Sequence, residues 1–227
     1  MFDLFIRNPV MKTILIIDDM ELINNIFAEV LENEGYSVYN SISGLKGIEQ
    51  LKSVKTDLIL LDIIMPVMDG WETLDYIRAD SEISDIPVIM MTAKKLLPDD
   101  IFQYGGMISG YIKKPLKVES LIKCINSFFK EKEEIDIFIK ETALKTSDYE
   151  IALDVGKTAE DMLFFRKMTD KLIDVNLKDN SERTDNDLDA DIEKLNSHFD
   201  ALQQKFIEKV TEFDIEEYIP ASLISYI

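Results

Sequence analysis

The stretch from Leu58 to Gly70, LILLDIIMPVMDG, sets an aspartate directly against four apolar residues and follows it with Ile-Ile, Met-Pro and Asp-Gly. A short apolar run bounded by turn signals reads as a strand covered on both faces, the kind found at the middle of a parallel sheet. Such a strand has no packing use for a charge at its end. The following Pro66 and the Asp69-Gly70 pair mark a loop and then a helix entry, so Asp62 stands where strand gives way to loop. In a doubly wound sheet that position matters, because ligands and chemistry gather beyond the carboxyl ends of the strands, beside the point where strand order reverses.

Working outward, residues 12–130 alternate short apolar runs with helical patterns, the pattern of a parallel sheet with helices on both faces. Strands are expected at Thr13–Ile17, Tyr36–Asn40, Asp57–Leu61, Pro87–Met91 and Gly110–Ile112. Helices are expected near 20–34, 44–53, 70–79, 98–105 and 116–130, the first stopped by Gly35 and the last opening after Pro115. Residues 1–11 read as an N-terminal extension ahead of an alternative start at Met11.

After Lys130 the strand signals vanish, and residues 131–227 read as an acidic helical domain, a hairpin or small bundle. The fifth helix is expected to run on through Ile135, Phe138 and Ile139 without interruption. Ser147 with Glu150 suggests a capping box for a short segment ended by Gly156, with Thr158 opening the next helix, whose stripe is Met162, Phe165, Met168, Leu172 and Val175. KDNSERTDND (178–187) reads as a polar turn, and Leu188, Ile192, Leu195, Phe199, Leu202 and Phe206 form a seam suited to another helix. The apolar end, YIPASLISYI, is expected to dock on something.

Composition excludes several classes of function. Acidic residues outnumber basic ones 44 to 25, with 19 against 13 up to Lys130 and 25 against 12 beyond it. A tail so charged repels a phosphate backbone, so no direct contact with nucleic acid is expected. One cysteine, Cys124, and one histidine, His198, are too few for a disulfide or a structural zinc site. No signal peptide or membrane span is evident, and the expected location is the cytoplasm.

Asp18 and Asp19 follow strand one and Asp62 follows strand three, so two adjacent central strands deliver three carboxylates to one edge. Crowded like charges repel and raise one another's pKa unless a cation sits among them, and hard oxygen ligands of this kind suit Mg2+. Thr92, at the end of strand four, offers a hydroxyl to a phosphoryl oxygen, and Lys114, before Pro115, offers an ammonium. A carboxylate nucleophile, a divalent metal and one cation suffice for phosphoryl transfer, where the protein mainly positions and stabilises charge. Taken singly, each of these residues is a common cap, turn former or solvated charge; the concert of five positions carries the reading.

ILIIDDM, LILLDIIMPVMDG, VIMMTAKK and GYIKKP resemble, in order and spacing, the receiver domains of two-component response regulators (CheY-like). The separations are 43 residues from Asp19 to Asp62, 30 on to Thr92 and 22 on to Lys114. The resemblance implies a flavodoxin-like sheet of order 2-1-3-4-5 and a Mg2+-dependent transfer from a sensor histidine kinase. It implies that Asp62 is the phosphoacceptor, that Asp19 binds the metal directly and Asp18 through water, and that Ile64 adds its backbone carbonyl. Thr92 and Lys114 would hold the phosphoryl group. Tyr111 would be the aromatic switch that follows Thr92 inward, moving the face built from helix four, strand five and helix five.

Two positions depart from the pattern. Ile64 is apolar and bulky where many relatives are polar or small, which predicts a phosphoryl state lasting longer than seconds; Met20 replaces an acidic or polar residue, with no clear consequence. The expected output is altered contact with a downstream protein or altered homodimerisation, and the alternative is a transcription regulator acting on DNA through the tail or a basic partner. No enzymatic output is expected, because no nucleophile elbow, phosphate loop or metal motif follows Lys130. His198 lacks the flanking residues of phosphotransfer domains and reads as a surface histidine, and the Phe-rich MLFFRKM reads as internal packing. By layout alone, the tail resembles the HalX-type helical modules that follow receivers in archaeal regulators.

Overall fold

The computed structural model describes the backbone of residues 11–93, 97–178 and 185–227, and their side chains except at 171–178 and 185–188. The expected N-terminal extension up to residue 10, Lys94 and Lys95 of the VIMMTAKK motif, most of the 178–187 turn, and the seam side chains of Leu172, Val175 and Leu188 lie outside the described residues. The chain divides into two compact units, one of residues 1–95 with Met107–Ile122, the other of residues 96–106 with Lys123–Ile227.

The first unit is built on five parallel strands, β1 (Thr13–Ile17), β2 (Ser37–Ser41), β3 (Leu58–Asp62), β4 (Val88–Thr92) and β5 (Gly110–Lys113), ordered β2-β1-β3-β4-β5. This is the doubly wound, flavodoxin-like order expected from the sequence. Ile14 to Ile17 and Leu58 to Leu61 have no exposed surface, whereas edge strand β2 is half-exposed. Continuous apolar runs thus mark the centre of the sheet and mixed composition its edge.

Strands β2, β3 and β4 each start and stop one residue later than the hydrophobic runs suggested. Pairing overrides composition here: Ile63 N donates to Met91 O at 2.9 Å and Lys114 N to Thr92 O at 2.7 Å, so the ladder runs past the last apolar residue. Asp62 is therefore the final residue of its strand, and does not follow it.

Helices α1 (Glu21–Asn33), α2 (Gly44–Leu51) and α3 (Gly70–Ala79) complete the described helices assigned wholly to this unit. Gly35, at φ 91°, occupies the left-handed region after α1. Asp69 caps α3 in a reciprocal box, accepting from Glu72 N at 2.9 Å while its own amide donates to Glu72 at 3.1 Å.

Helix α4 (Pro98–Tyr104) is counted with the second unit, where it meets α6 (Tyr149–Lys178) and α7 (Asp185–Glu212). Helix α5 (Val118–Thr146) is uninterrupted, as the stripe through Phe138 predicted, and a short α8 (Ala221–Ile224) ends the chain. The core of this bundle joins Phe138 and Phe206, with ring centroids 5.9 Å apart, to Met162, Val155, Ile215 and Leu223.

The segmentation expected around Gly156 is wrong, because α6 runs through it without a break. A Cβ at Gly156 would stand 2.4 Å from Ile139 Cγ1, so this glycine serves close helix approach and not termination. Thr158 sits mid-helix with its hydroxyl donating to Asp154 O, and Asp148, not Ser147, accepts from the Glu150 and Ile151 amides at the start of α6. The MLFFRKM segment is packed inside the bundle, and the apolar chain end is docked, with Leu223 fully buried and Gln203 Nε2 donating to Tyr226 O.

Candidate phosphoacceptor site

Register alone assembles the site. Ile17 pairs with Leu61, so Asp18 and Asp62 leave neighbouring strands at the same level; Asp62 pairs with Met91 and Thr92 with Lys113, which brings Thr92 and Lys114 to that edge. Asp18, Asp19 and Asp62 each offer a carboxylate oxygen, and these oxygens lie within 4.8 Å of one another. Asp18 and Asp62 are buried while Asp19 is exposed, giving the cluster one open side.

Lys114 Nζ reaches into this cluster, donating to Asp62 Oδ1 at 2.7 Å and to Asp18 Oδ2. Lys113, beside it, points outward and is exposed. The second oxygen of Asp62 accepts from Ile64 N at 3.0 Å, and Asp18 Oδ1 accepts from Met20 N at 2.9 Å. Thr92 is fully buried and Tyr111 nearly so, the ring already lying within the fold one strand from Thr92. The Ile64 side chain is about half exposed.

Burial is the largest influence on Asp62 and pushes its pKa up; the hydrogen bond and charge of Lys114 pull it down, the charge of Asp18 pushes it up again, and the net result lies above the ordinary carboxylate value. For Lys114, burial pulls the pKa down, but the two carboxylates outweigh it and hold the ammonium charged above its usual range. The pocket thus pairs a basic carboxylate with a fixed cation. Its three carboxylates are hard oxygen donors of the type Mg2+ prefers, so the residues fit such an ion.

Two contributors escaped the sequence reading. Gly70 opens α3, as its place in the sequence predicts, but it has a second role: a Cβ there would lie 2.3 Å from Asp62 O and 2.7 Å from Ile63 Cα. The start of α3 can therefore sit against the acceptor strand only without a side chain. Asn24 is fully buried and its Nδ2 donates to Asp18 O at 2.7 Å. Its signal was legible, since it shares the buried stripe of α1 with Phe27 and Leu31, where a polar residue is out of pattern.

Comparison with known proteins gives this geometry a context. The family model described as the response regulator receiver domain matches residues 14–126. The polar-differentiation response regulator DivK of Brucella ovis is 33% identical over 117 residues, which span 52% of this chain and 95% of that protein. The chain belongs to the response regulator receiver family. Receiver domains of two-component systems are phosphorylated on an aspartate with magnesium, the phosphoryl group coming from sensor histidine kinases.

Other relatives are longer. The DNA-binding dual master transcriptional regulator RpaA of Synechocystis is 33% identical over 125 residues, covering 55% of this chain and 52% of that protein. The chain likewise spans about half (54%) of the probable transcriptional regulator ycf29 of Porphyra purpurea. Among solved structures, the N-terminal domain of a receiver protein from Methanoculleus marisnigri is 43% identical with a TM-score of 0.45, covering 51% of this chain and 94% of that one. Among the described residues of this receiver protein, no helix is long and apolar enough to cross a membrane.

Proposed function

We infer that this chain is a phosphorylation-responsive regulator working in the cytoplasm, whose receiver accepts a phosphoryl group on Asp62 and whose acidic helical tail, of HalX-like layout, acts through protein contacts or homodimerisation. The observation that carries it is the convergence of Asp18, Asp19 and Asp62 around one lysine, Lys114, at the carboxyl edge of the sheet.

Asp18, Asp19, Asp62 and the Ile64 carbonyl would hold Mg2+, which supplies charge neutralisation at the transferred group when bound. An Asp62 oxygen forms the new O–P bond as the P–N bond to the donor kinase's phosphohistidine breaks, and the imidazole nitrogen leaves with the electron pair. Lys114 and the Thr92 hydroxyl hold the phosphoryl oxygens, and Tyr111 follows Thr92 as the switch. The bulk of Ile64 beside the acceptor supports a slow loss of the phosphoryl group to water.

The tail supports a non-enzymatic, protein-directed output. It holds the larger share of the excess acid, and contacts within the second unit tie α4, next in the chain after β4, to α6 and α7. The 33% identity to RpaA over 125 residues favours a second reading, regulation of transcription by DNA contact. The charge of the tail argues against direct contact, so this reading needs a basic partner.

The test is to incubate the full chain with acetyl phosphate and Mg2+ and measure intact mass. A single phosphoryl adduct is expected, absent in Asp62→Ala and in chelator. No adduct while a control receiver gains one sinks the proposal. Binding of the labelled protein to random duplex DNA at physiological salt, alone or with a basic protein partner present, would favour the second reading.

A further inference from the structure

Helix α1 places Asn24, Phe27 and Leu31 on its buried side. The two hydrophobic residues are what that stripe calls for, whereas an amide with no exposed surface requires a hydrogen-bonding reason. Asn24 Nδ2 donates to Asp18 O at 2.7 Å and lies 3.4 Å from Ser41 O. The Asp18 amide donates to that same Ser41 oxygen at 3.1 Å. Because both groups facing the amide are backbone oxygens, the nitrogen must be the end that meets them. Asn24 Oδ1 is buried with no hydrogen-bond partner among the described residues, so the side chain is kept for what it donates.

The carbonyl it grips belongs to the peptide that joins Asp18 to Asp19. That peptide is a rigid plane shared by the two Cα atoms, so holding its oxygen restrains ψ of Asp18 and φ of Asp19, the torsions that aim the two acidic side chains. Met20 N and Lys114 hold the Asp18 carboxylate from its two sides, but Asp19 is exposed and takes its direction from the backbone around it. Helix α1 begins here with Met20 in the cap position and no side-chain cap, so the Asn24 bond is also what anchors its first turns to the ends of β1 and β2.

We propose that Asn24 is a positioning residue of the metal and acceptor pocket, orienting the Asp18–Asp19 peptide so that its two carboxylates converge with Asp62. This rests on the phosphoacceptor reading above. Asn24 touches neither metal nor phosphoryl group and acts through Asp18 and Asp19.

The full-length wild type, Asn24→Leu and Asn24→Asp are compared by Mg2+ calorimetry, thermal melting and acetyl phosphate labelling across a range of Mg2+. Both variants keep the branched shape of the side chain; Leu, and Asp in its ionised form, lose the donor. The expected result is Mg2+ affinity weakened about five- to tenfold, as for loss of one buried hydrogen bond, with the wild-type extent of labelling restored at saturating Mg2+ and Asn24→Leu still folding cooperatively, its melting lowered by a few degrees. Unchanged Mg2+ affinity in folded variants overturns the proposal. So does a labelling defect that saturating Mg2+ leaves in place, or failure of both variants to fold, since each marks a purely structural residue. A wild type that neither binds Mg2+ nor gains an adduct removes the phosphoacceptor reading itself; a normally labelled wild type beside unaffected variants removes only the role of Asn24.

Discussion

Lys114 Nζ lies 2.7 Å from Asp62 Oδ1 and also donates to Asp18, so a single ammonium ties together carboxylates that leave two different strands. Its side chain is only 16% exposed, and those of its partners 0% and 6%, so the pairing operates away from bulk water. Removing one partner of such a group is costly because the remaining charges stay buried and uncompensated.

Lys114→Met is therefore expected to lose about 3 kcal/mol of stability in the absence of divalent metal, read from urea unfolding. Adding Mg2+ should recover part of that loss, since the ion supplies charge where the ammonium stood. Phosphoryl uptake should fall sharply even at saturating Mg2+, because the cation that meets the transferred group is gone.

The raised pKa of Asp62, caused first by burial, sets the sign of a pH effect. A carboxyl group whose folded pKa exceeds its unfolded value favours the fold while protonated, and that contribution fades as pH rises from the ordinary aspartate value of about 3.8 through the folded value. Asp62→Asn cannot ionise and should not show this fading. Without metal, the gap in melting temperature between variant and wild type should move in favour of the variant between about pH 4 and neutrality; a gap independent of pH would contradict the cause given.

Gly70→Ala should damage the acceptor more than its size suggests. The added carbon meets backbone atoms of Asp62 and Ile63, which cannot swing aside as a side-chain tip would. A cost of about 1–3 kcal/mol is expected, with slower phosphoryl uptake at saturating Mg2+. Ala at Gly35, where no atom lies within 4 Å of the added Cβ, should leave uptake unchanged and affect stability only through its φ of 91°.

Within the second unit, Lys194 Nζ stands 4.2 Å from the Phe102 ring centroid, and the His198 ring lies between Phe102 at 6.3 Å and Phe165 at 4.2 Å. A double-mutant cycle of Phe102→Ala with Lys194→Ala should return a coupling of about 0.5–1 kcal/mol, measured by urea unfolding of the full chain. Zero coupling would mean that the cation and ring do not interact in solution.

The sheet and the reacting residues were legible because both follow from short-range rules. Continuous apolar runs name the central strands, and parallel pairing then carries Asp18, Asp62, Thr92 and Lys114 to one edge without further information. Gly70 opens its helix as expected and Gly156 does not end one, yet the packing role of both was hidden for a common reason: composition records that a glycine is present, but not whether its missing side chain admits the close approach of Asp62 in one case and Ile139 in the other. Asn24 stands out of pattern on the buried stripe of α1, but only the position of the Asp18 carbonyl shows what it does there. His198 is exposed, as the sequence predicts, while the meeting of its ring with those of Phe165 and Phe102 depends on packing between segments 33 and 96 residues distant in the chain, which no local pattern encodes.

Gly105 has its own consequence for anyone who shortens this protein. An added Cβ there would meet Phe164 at 2.9 Å and Phe165 at 3.1 Å, and both rings lie beyond residue 126, where the match to the receiver family ends. A fragment cut at residue 130 would strip α4 of those rings and leave Phe102 without His198 and Lys194, exchanging a packed surface for a sticky one. Properties measured on such a fragment would describe a different molecule from the one that carries the signal.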